Sequence, residues 1–316
     1  MTDTHMPAHG PYWPQPGAAT FASLAALGAT RFCDAEALRI VGGDAISFAR
    51  FEDEVARHAA GMATATGRKV MATASGNLKR VTLELGGNDP AIVLPDVDVE
   101  KTAKELFWAA SQNSAHFCVA TKRIYIHHEI YDVLAGALVE YASTVTIGDG
   151  LQQGVDLGPI QNRMQFEKLK DLIASAQADG LKFLAGGTIP DGKGYFVPIT
   201  IIDNPPKTSR VVVEEAFGPV LPLLRFDDID EVVARANNTE YGLAASVWSR
   251  DADAAEAIAR RLETGTVWIN EIYSFSPHVA FGGHEQSGVG IENAMEGLAE
   301  YTNSQTIVIN RTSQAA

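Results

Sequence analysis

Two stretches of the chain carry residue types that can do covalent chemistry together. Cys118 stands in ELFWAASQNSAHFCVATKRIYIH (105–127), just after a helical run and among small and polar neighbours. Glu84 stands in Leu83-Glu84-Leu85-Gly86-Gly87, where a carboxylate adjoins two glycines. A thiol becomes a nucleophile once deprotonated, and a carboxylate able to reach it, or a water, is the base such chemistry needs. The bland alternatives are real. A lone cysteine is more often a small buried hydrophobe, and a glutamate at a strand end is more often capped or ion-paired. Gly86-Gly87 tilts Glu84 towards function, because two glycines let backbone approach closely. Lys122 and Arg123 read as a solvated strand end whose charge favours a nearby thiolate. His116, two residues before the cysteine, suggests a Cys–His dyad but reads better as a pocket or surface residue than as a base.

The elements that must position these groups alternate along the chain. Apolar spacing and breakers predict helices over 66–74, from Asp98 as N-cap to Ala110, over 129–143, and over 162–178 with Gly180 as the C′ residue. Further helices are predicted over 229–237 and 252–263, and strands over 80–85, 90–94, 123–127, 182–184, 196–202, 220–226, 244–248 and 266–270. This βαβα alternation argues for a mostly parallel α/β sheet. A Gly-rich loop, a helix and a β-rich tail over 304–310 close the chain. Before them, residues 1–18 read as an irregular arm, 37–41 as a strand, Gly42-Gly43 as a turn and 46–62 as a helix.

Bulk properties narrow the function class. With 316 residues, 46% hydrophobic and 20% charged, the chain is long enough for two domains, or one of the size of large α/β enzymes, around a large core. A net charge of −14 argues against nucleic-acid and anionic-membrane partners, which need clustered positive charge. No 18-residue apolar run is present, and MTDTHMPAHGPYWPQPG lacks the features of a secretory signal, so a cytoplasmic setting is expected. Two cysteines, Cys33 and Cys118, allow neither a disulfide framework nor a Cys-rich metal site, and no metal is expected.

From about Ala63 onward, several stretches resemble, in order, the aldehyde dehydrogenase superfamily. They are ATGRKVMATASGNLKRVTLELGGNDPAIVLPDVD, SQNSAHFCVATKRIYIH, EEAFGPVLPLLRFDD, NNTEYGLAASVWSRD, TGTVWIN and FGGHEQSGVGIENAMEGLAEYT. The resemblance implies an α/β fold: an aldehyde dehydrogenase-like catalytic domain with a mostly parallel sheet, and only a partial Rossmann-like cofactor domain. It implies NAD(P)-dependent oxidation of a small-molecule aldehyde, with NAD or NADP as cofactor. Cys118 would be the nucleophile of a thiohemiacetal and thioester pathway, and Glu84 the general base. Glu292 would be a second glutamate linked to proton relay. Glu215 and Phe217 would hold the nicotinamide ribose and pack near the ring, with Gly86 on the cofactor side. Ala115-His116 stands where the family pattern has Gly-Gln.

The same resemblance divides the chain into an atypical N-terminal segment (1–62), a cofactor-domain portion (63–86 and 283–303), a catalytic domain (87–282) and an oligomerisation strand and tail (304–316). A homo-oligomer is implied, weakened because most of the family's β-ribbon has no match here. Nor do most of the Rossmann-like domain, the ribose-binding lysine and the oxyanion asparagine. Gly61-Met62-Ala63-Thr64 stands where the phosphate-contacting motif would be. Residues 20–61 resemble the opening of adenylate-forming, acyl-CoA synthetase-like enzymes without their ATP-binding motifs, which suggests a fusion. The alternative to a dehydrogenase is thus a remnant that binds cofactor poorly and keeps at most a thiol esterase or interaction role.

Overall fold

The structure, a computed structural model, describes residues 64–310 and the backbone of two short strands, β1 (Glu36–Arg39) and β2 (Ala45–Ser47). These two pair antiparallel. β1 meets the strand expected over 37–41, whereas β2 occupies the start of the expected 46–62 helix. The rest of the segment resembling adenylate-forming enzymes, Cys33 included, lies outside the described residues.

At the centre is a seven-stranded sheet built from β4 (Asp89–Val93), β5 (Thr121–His127), β6 (Lys182–Ala185), β7 (Thr200–Asp203), β8 (Val220–Phe226), β10 (Ala244–Trp248) and β11 (Thr266–Ile269). Its spatial order is β11-β10-β4-β5-β8-β7-β6. All neighbours run parallel except the edge pair β6–β7. The parallel strands are apolar on both faces because both faces are covered, which is why they read as continuous hydrophobic runs. Ile92, Tyr125, Leu224 and Val247 look into one core with α4 (Arg163–Ala178), α6 (Ile229–Asn237) and α7 (Ala252–Ala259). Ala91, Val93, Ile124, Ile126 and Leu223 look into the other with α2 (Val99–Ser111) and α3 (Tyr131–Ser143).

The helix starts follow local chemistry. Asp98, Asn162 and Asp228 each accept a backbone N–H three residues on, as N-caps of α2, α4 and α6. Gly180 takes φ 69° just past α4, the left-handed stop expected there. Predicted strand 80–85 shrinks to β3 (Leu83–Glu84), because its only partner strand among the described residues is the two-residue β13 (Gly288–Val289). A similar ladder joins β9 (Tyr241–Gly242) to β12 (His284–Glu285). Flanking these ladders are α1 (Thr64–Ser75) and α8 (Ala294–Glu300), whereas the one-turn α5 (Arg210–Val213) packs against α4 and β8. The β-rich tail expected over 304–310 forms no strand among the described residues: Ile307, Val308 and Ile309 are exposed and pair with nothing in the sheet. No helix of the described residues is long and apolar enough to cross a membrane.

Candidate active site

The chemistry-bearing residues converge at the amino edge of the parallel strands. Gly86-Gly87 leads into β4, Cys118 into β5, and Glu215 and Phe217 into β8. Buried strands fix the start of each loop, so three loops distant in sequence meet above one stretch of sheet.

Cys118 is held by an unusual run of backbone. After α2 ends at Ser111, Asn113, Ser114 and Ala115 take φ of 54°, 56° and 61° in succession. Left-handed conformation costs a non-glycine residue roughly 1–2 kcal/mol, so three in a row persist only where neighbours enforce them. Here His116 N–H donates to Asn113 O (3.0 Å), Asn113 Nδ2 donates to His116 O (3.1 Å), and Ser114 Oγ donates to Gly158 O (3.0 Å). No glycine marks this turn, so nothing in the sequence announced it.

The half-buried Cys118 thiol is pushed above its ordinary pKa, chiefly by burial. The Lys122 charge and a Val119 N–H hydrogen bond act downward, while Asp89 and Glu84 add to the rise. Glu84 thus lies close enough for its charge to be felt at the sulfur. Its own carboxyl is pushed up to about 7, first by burial and then by Glu292. Both Glu84 carboxylate oxygens are buried with no hydrogen-bond partner among the described residues. A buried carboxylate without donors is costly, and such a group is poised to take a proton near neutrality. Glu292 is exposed, its backbone anchored to Phe281 by reciprocal hydrogen bonds of 2.8 and 2.6 Å.

Glu215 closes the third side. Its Oε1 accepts the Gly87 N–H at 3.1 Å and lies 3.8 Å from Lys122 Nζ. The neighbouring Gly86 leaves room for this carboxylate: a Cβ there would collide with Glu215 Oε2. One at Gly87 would press on Asp89 Oδ1 (2.5 Å) and Cys118 O (3.1 Å). Phe217, at φ 49°, meets the His116 ring at 5.7 Å between centroids. The His116 Nε2 is buried without a partner, and burial pulls that imidazole down to about 4. A neutral imidazole facing Phe217 agrees with the reading of His116 as a pocket residue.

Lys122 and Arg123 correct the expectation of a solvated strand end. They are only 5% and 2% exposed, because the loops before β4, β5 and β8 close over the start of β5. Arg123 donates to Asn88 O, Arg235 O and Ala236 O, satisfying carbonyls at the end of α6.

Two neighbours escaped the sequence reading. Asp89 is fully buried, and its carboxyl is pushed up to about 7, mainly by burial against the pull of Lys122. A carboxylate opening an otherwise apolar strand after Gly-Gly was the signal available for it. Tyr273, which follows β11, stacks at 5.1 Å on Phe117 and donates its hydroxyl to Ala109 O at 2.6 Å. Its phenol is raised by burial and by Asp89 and Cys118, and nothing in its spacing pointed to the site. No cluster of potential metal ligands occurs among the described residues.

This fold recurs among known proteins. A 44% identical probable aldehyde dehydrogenase of a Pseudomonas species matches over 250 residues, 78% of this chain and 50% of that protein. Aldehyde dehydrogenase 1A1 of Gallus gallus is 42% identical over 233 residues, 74% of this chain and 46% of that protein. The NAD+ complex structure of an aldehyde dehydrogenase from Bacillus cereus superposes with a TM-score of 0.76 at 36% identity, covering 79% of this chain and 51% of that one. A betaine aldehyde dehydrogenase from Staphylococcus aureus, solved with NAD+, gives a TM-score of 0.73 at 33% identity over 76% of this chain and 48% of that one. The chain thus spans about half the length of the curated relatives it matches. Residues 55–307 match the model of the aldehyde dehydrogenase family, and the chain belongs to that family.

Proposed function

We propose that this site oxidises an aldehyde to a carboxylic acid, with Cys118 as nucleophile and Glu84 as general base. The observation that carries the reading is the orphaned Glu84 carboxyl beside Cys118, pushed up to about 7. Cys118 Sγ adds to the aldehyde carbon, and the sulfur's proton passes to Glu84 or to water. The Cys118 backbone N–H is the donor this chain offers to the oxygen that becomes negative. Once the carbon stands at the acyl level, Glu84 removes a proton from the attacking water, the C–S bond breaks, and the thiol is restored with release of the acid. Glu292 tunes Glu84 by its charge and is the group to pass the proton on to solvent.

The residues present fit the nicotinamide end of an NAD or NADP cofactor. Glu215 and Phe217 would hold the ribose and the ring, against the close backbone that Gly86 makes possible. When bound, that cofactor supplies the hydride acceptor the oxidation requires. The NAD+ complexes of the superposable structures support this assignment. We assign 63–86 and 283–303 to the cofactor-binding portion, 87–282 to the catalytic domain and 304–316 to an oligomer-forming tail. The last rests on exposed Ile307, Val308 and Ile309, which suit strand pairing with a second copy.

Acyl transfer needs only Cys118, Glu84 and water, so ester hydrolysis reports on the chain's own residues without cofactor. Cys118→Ala should lower hydrolysis of p-nitrophenyl acetate at least ~10³-fold, and NAD-dependent aldehyde oxidation with it. Full turnover by that variant in either assay would exclude Cys118 as the nucleophile.

A further inference from the structure

We propose that Lys122 is a positioning residue that ties the Cys118 loop to Glu215, so that the state of Glu215 is felt at the nucleophile. The proposal rests on the reading of Cys118 as the nucleophile. Its warrant is geometric. An ammonium has three protons to donate, and Lys122 Nζ reaches the carbonyl oxygens of Phe117 (3.1 Å), Cys118 (2.7 Å) and Ala120 (3.1 Å). The turn carrying the cysteine is therefore wrapped around one cation, with the Cys118 carbonyl at the shortest distance. The same Nζ lies 3.8 Å from Glu215 Oε1, and both side chains are nearly buried, at 5% and 11% exposure. Glu215 Oε1 also accepts the Gly87 N–H. One continuous path thus runs from Gly87 through Glu215 and Lys122 to Cys118, joining the loops before β4, β8 and β5.

Burying an ammonium is costly unless it is well matched. Three carbonyl dipoles and one carboxylate supply that match here, and Asp89 adds its field. The remaining charged groups that act on the thiol are Asp89 on β4 and Glu84 on β3, and the thiol in turn acts on Tyr273 after β11. Lys122 is the cation that acts on the thiol. Weakening the Glu215 charge leaves Lys122 free to favour negative charge on sulfur; removing Lys122 leaves the sulfur facing carboxylates alone. A ligand whose hydroxyls engage Glu215 would work in the first direction, preparing the thiol when the neighbouring site fills.

The test is alkylation of Cys118 by iodoacetamide, followed by mass spectrometry of the peptide that carries it. The thiolate sulfur displaces iodide, so the rate follows the ionised fraction across pH. Lys122→Met should raise the midpoint by about one pH unit, equivalent to about tenfold slower alkylation on the acid side. Glu215→Gln, which keeps an acceptor for Gly87 N–H, should lower the midpoint. A purely structural role would not move the two variants in opposite directions. An unmoved or raised midpoint in Glu215→Gln overturns the proposal, including the case where Lys122→Met does not fold. An unchanged midpoint in folded Lys122→Met overturns it as well. Alkylation needs no turnover, so these results are independent of whether Cys118→Ala retains activity.

Discussion

The two edges of the central sheet are built from the same strands and have opposite characters. At the carboxyl edge Asp96, Asn270 and Asp203 have all found partners. Asp96, after β4, accepts from Ser249 Oγ and from the N–H groups of Arg250 and Asp251. Asn270, after β11, bonds both the N–H and the carbonyl of Ser249, and Asp203, ending β7, accepts from Tyr131 and Lys182. At the amino edge, both Glu84 oxygens, Asn88 Oδ1, Asp89 Oδ2 and His116 Nε2 are buried without partners among the described residues. Satisfied polar groups hold a fold together, whereas unsatisfied ones in a native interior call for a functional explanation. The difference separates what this sheet needs in order to stand from what it holds ready to react.

Substitutions on the two edges should therefore fail differently. Among substitutions that leave Cys118 in place, the largest effect is expected from Gly86→Ala. The new methyl displaces the Glu215 carboxylate and breaks its alignment with Gly87 N–H, and ångström-scale misplacement of site groups costs up to about 10²-fold in turnover. Steady-state oxidation of an aldehyde with NAD measures it, and wild-type rates would show that Glu215 need not sit there.

Asp96→Ala comes next and acts on stability alone. Three hydrogen bonds to one carboxylate are lost, costing about 2 kcal/mol in urea unfolding near pH 7. Ester hydrolysis per folded molecule should stay at the wild-type level. The Asp96 carboxyl is held below its ordinary value despite some burial, by Ser249 and the backbone N–H groups. Its contribution is present above the unfolded-state pKa and is lost as pH falls through the lower folded one. The gap between wild type and variant should therefore narrow only in acid.

Glu84→Gln gives the smallest effect, of opposite sign. A carboxyl raised from 4.5 to about 7 contributes stability in acid that is lost as pH rises through that window. Above pH 7 the ionised carboxylate strains the fold, so the amide variant should be more stable there by about 1 kcal/mol, discounted because Glu84 is only half-buried. The advantage should fade as pH falls to about 4.5. Equal stabilities at pH 8 would mean that Glu84 finds its donors in solution, and the contrast between edges would weaken.

Much of the fold was legible because its signals are local. The bounds of β8, α6 and β10 coincide with the expected 220–226, 229–237 and 244–248, where apolar runs and an Asp228 cap coincide. Cys118 stood out by type among small and polar neighbours, and Glu84 by the two glycines that follow it. The misses are all non-local. Burial of Lys122 and Arg123 depends on loops that precede other strands, and a charged pair ahead of a strand looks the same whether or not a loop covers it. The left-handed run at Asn113–Ala115 is enforced by hydrogen bonds that a reader of three ordinary residues cannot infer. Residues 304–310 have strand composition, but composition forms no strand without a partner strand to bond.

The raised Cys118 thiol has a consequence outside turnover. Peroxide and other oxidants react with the thiolate, so a buried thiol held above its ordinary pKa offers them little to attack. Sulfenic acid forms slowly at such a sulfur, and the irreversible sulfinic state that follows it forms more slowly still. A nucleophile kept protonated at rest and ionised only when its surroundings change survives an oxidising episode that would spend an exposed thiolate.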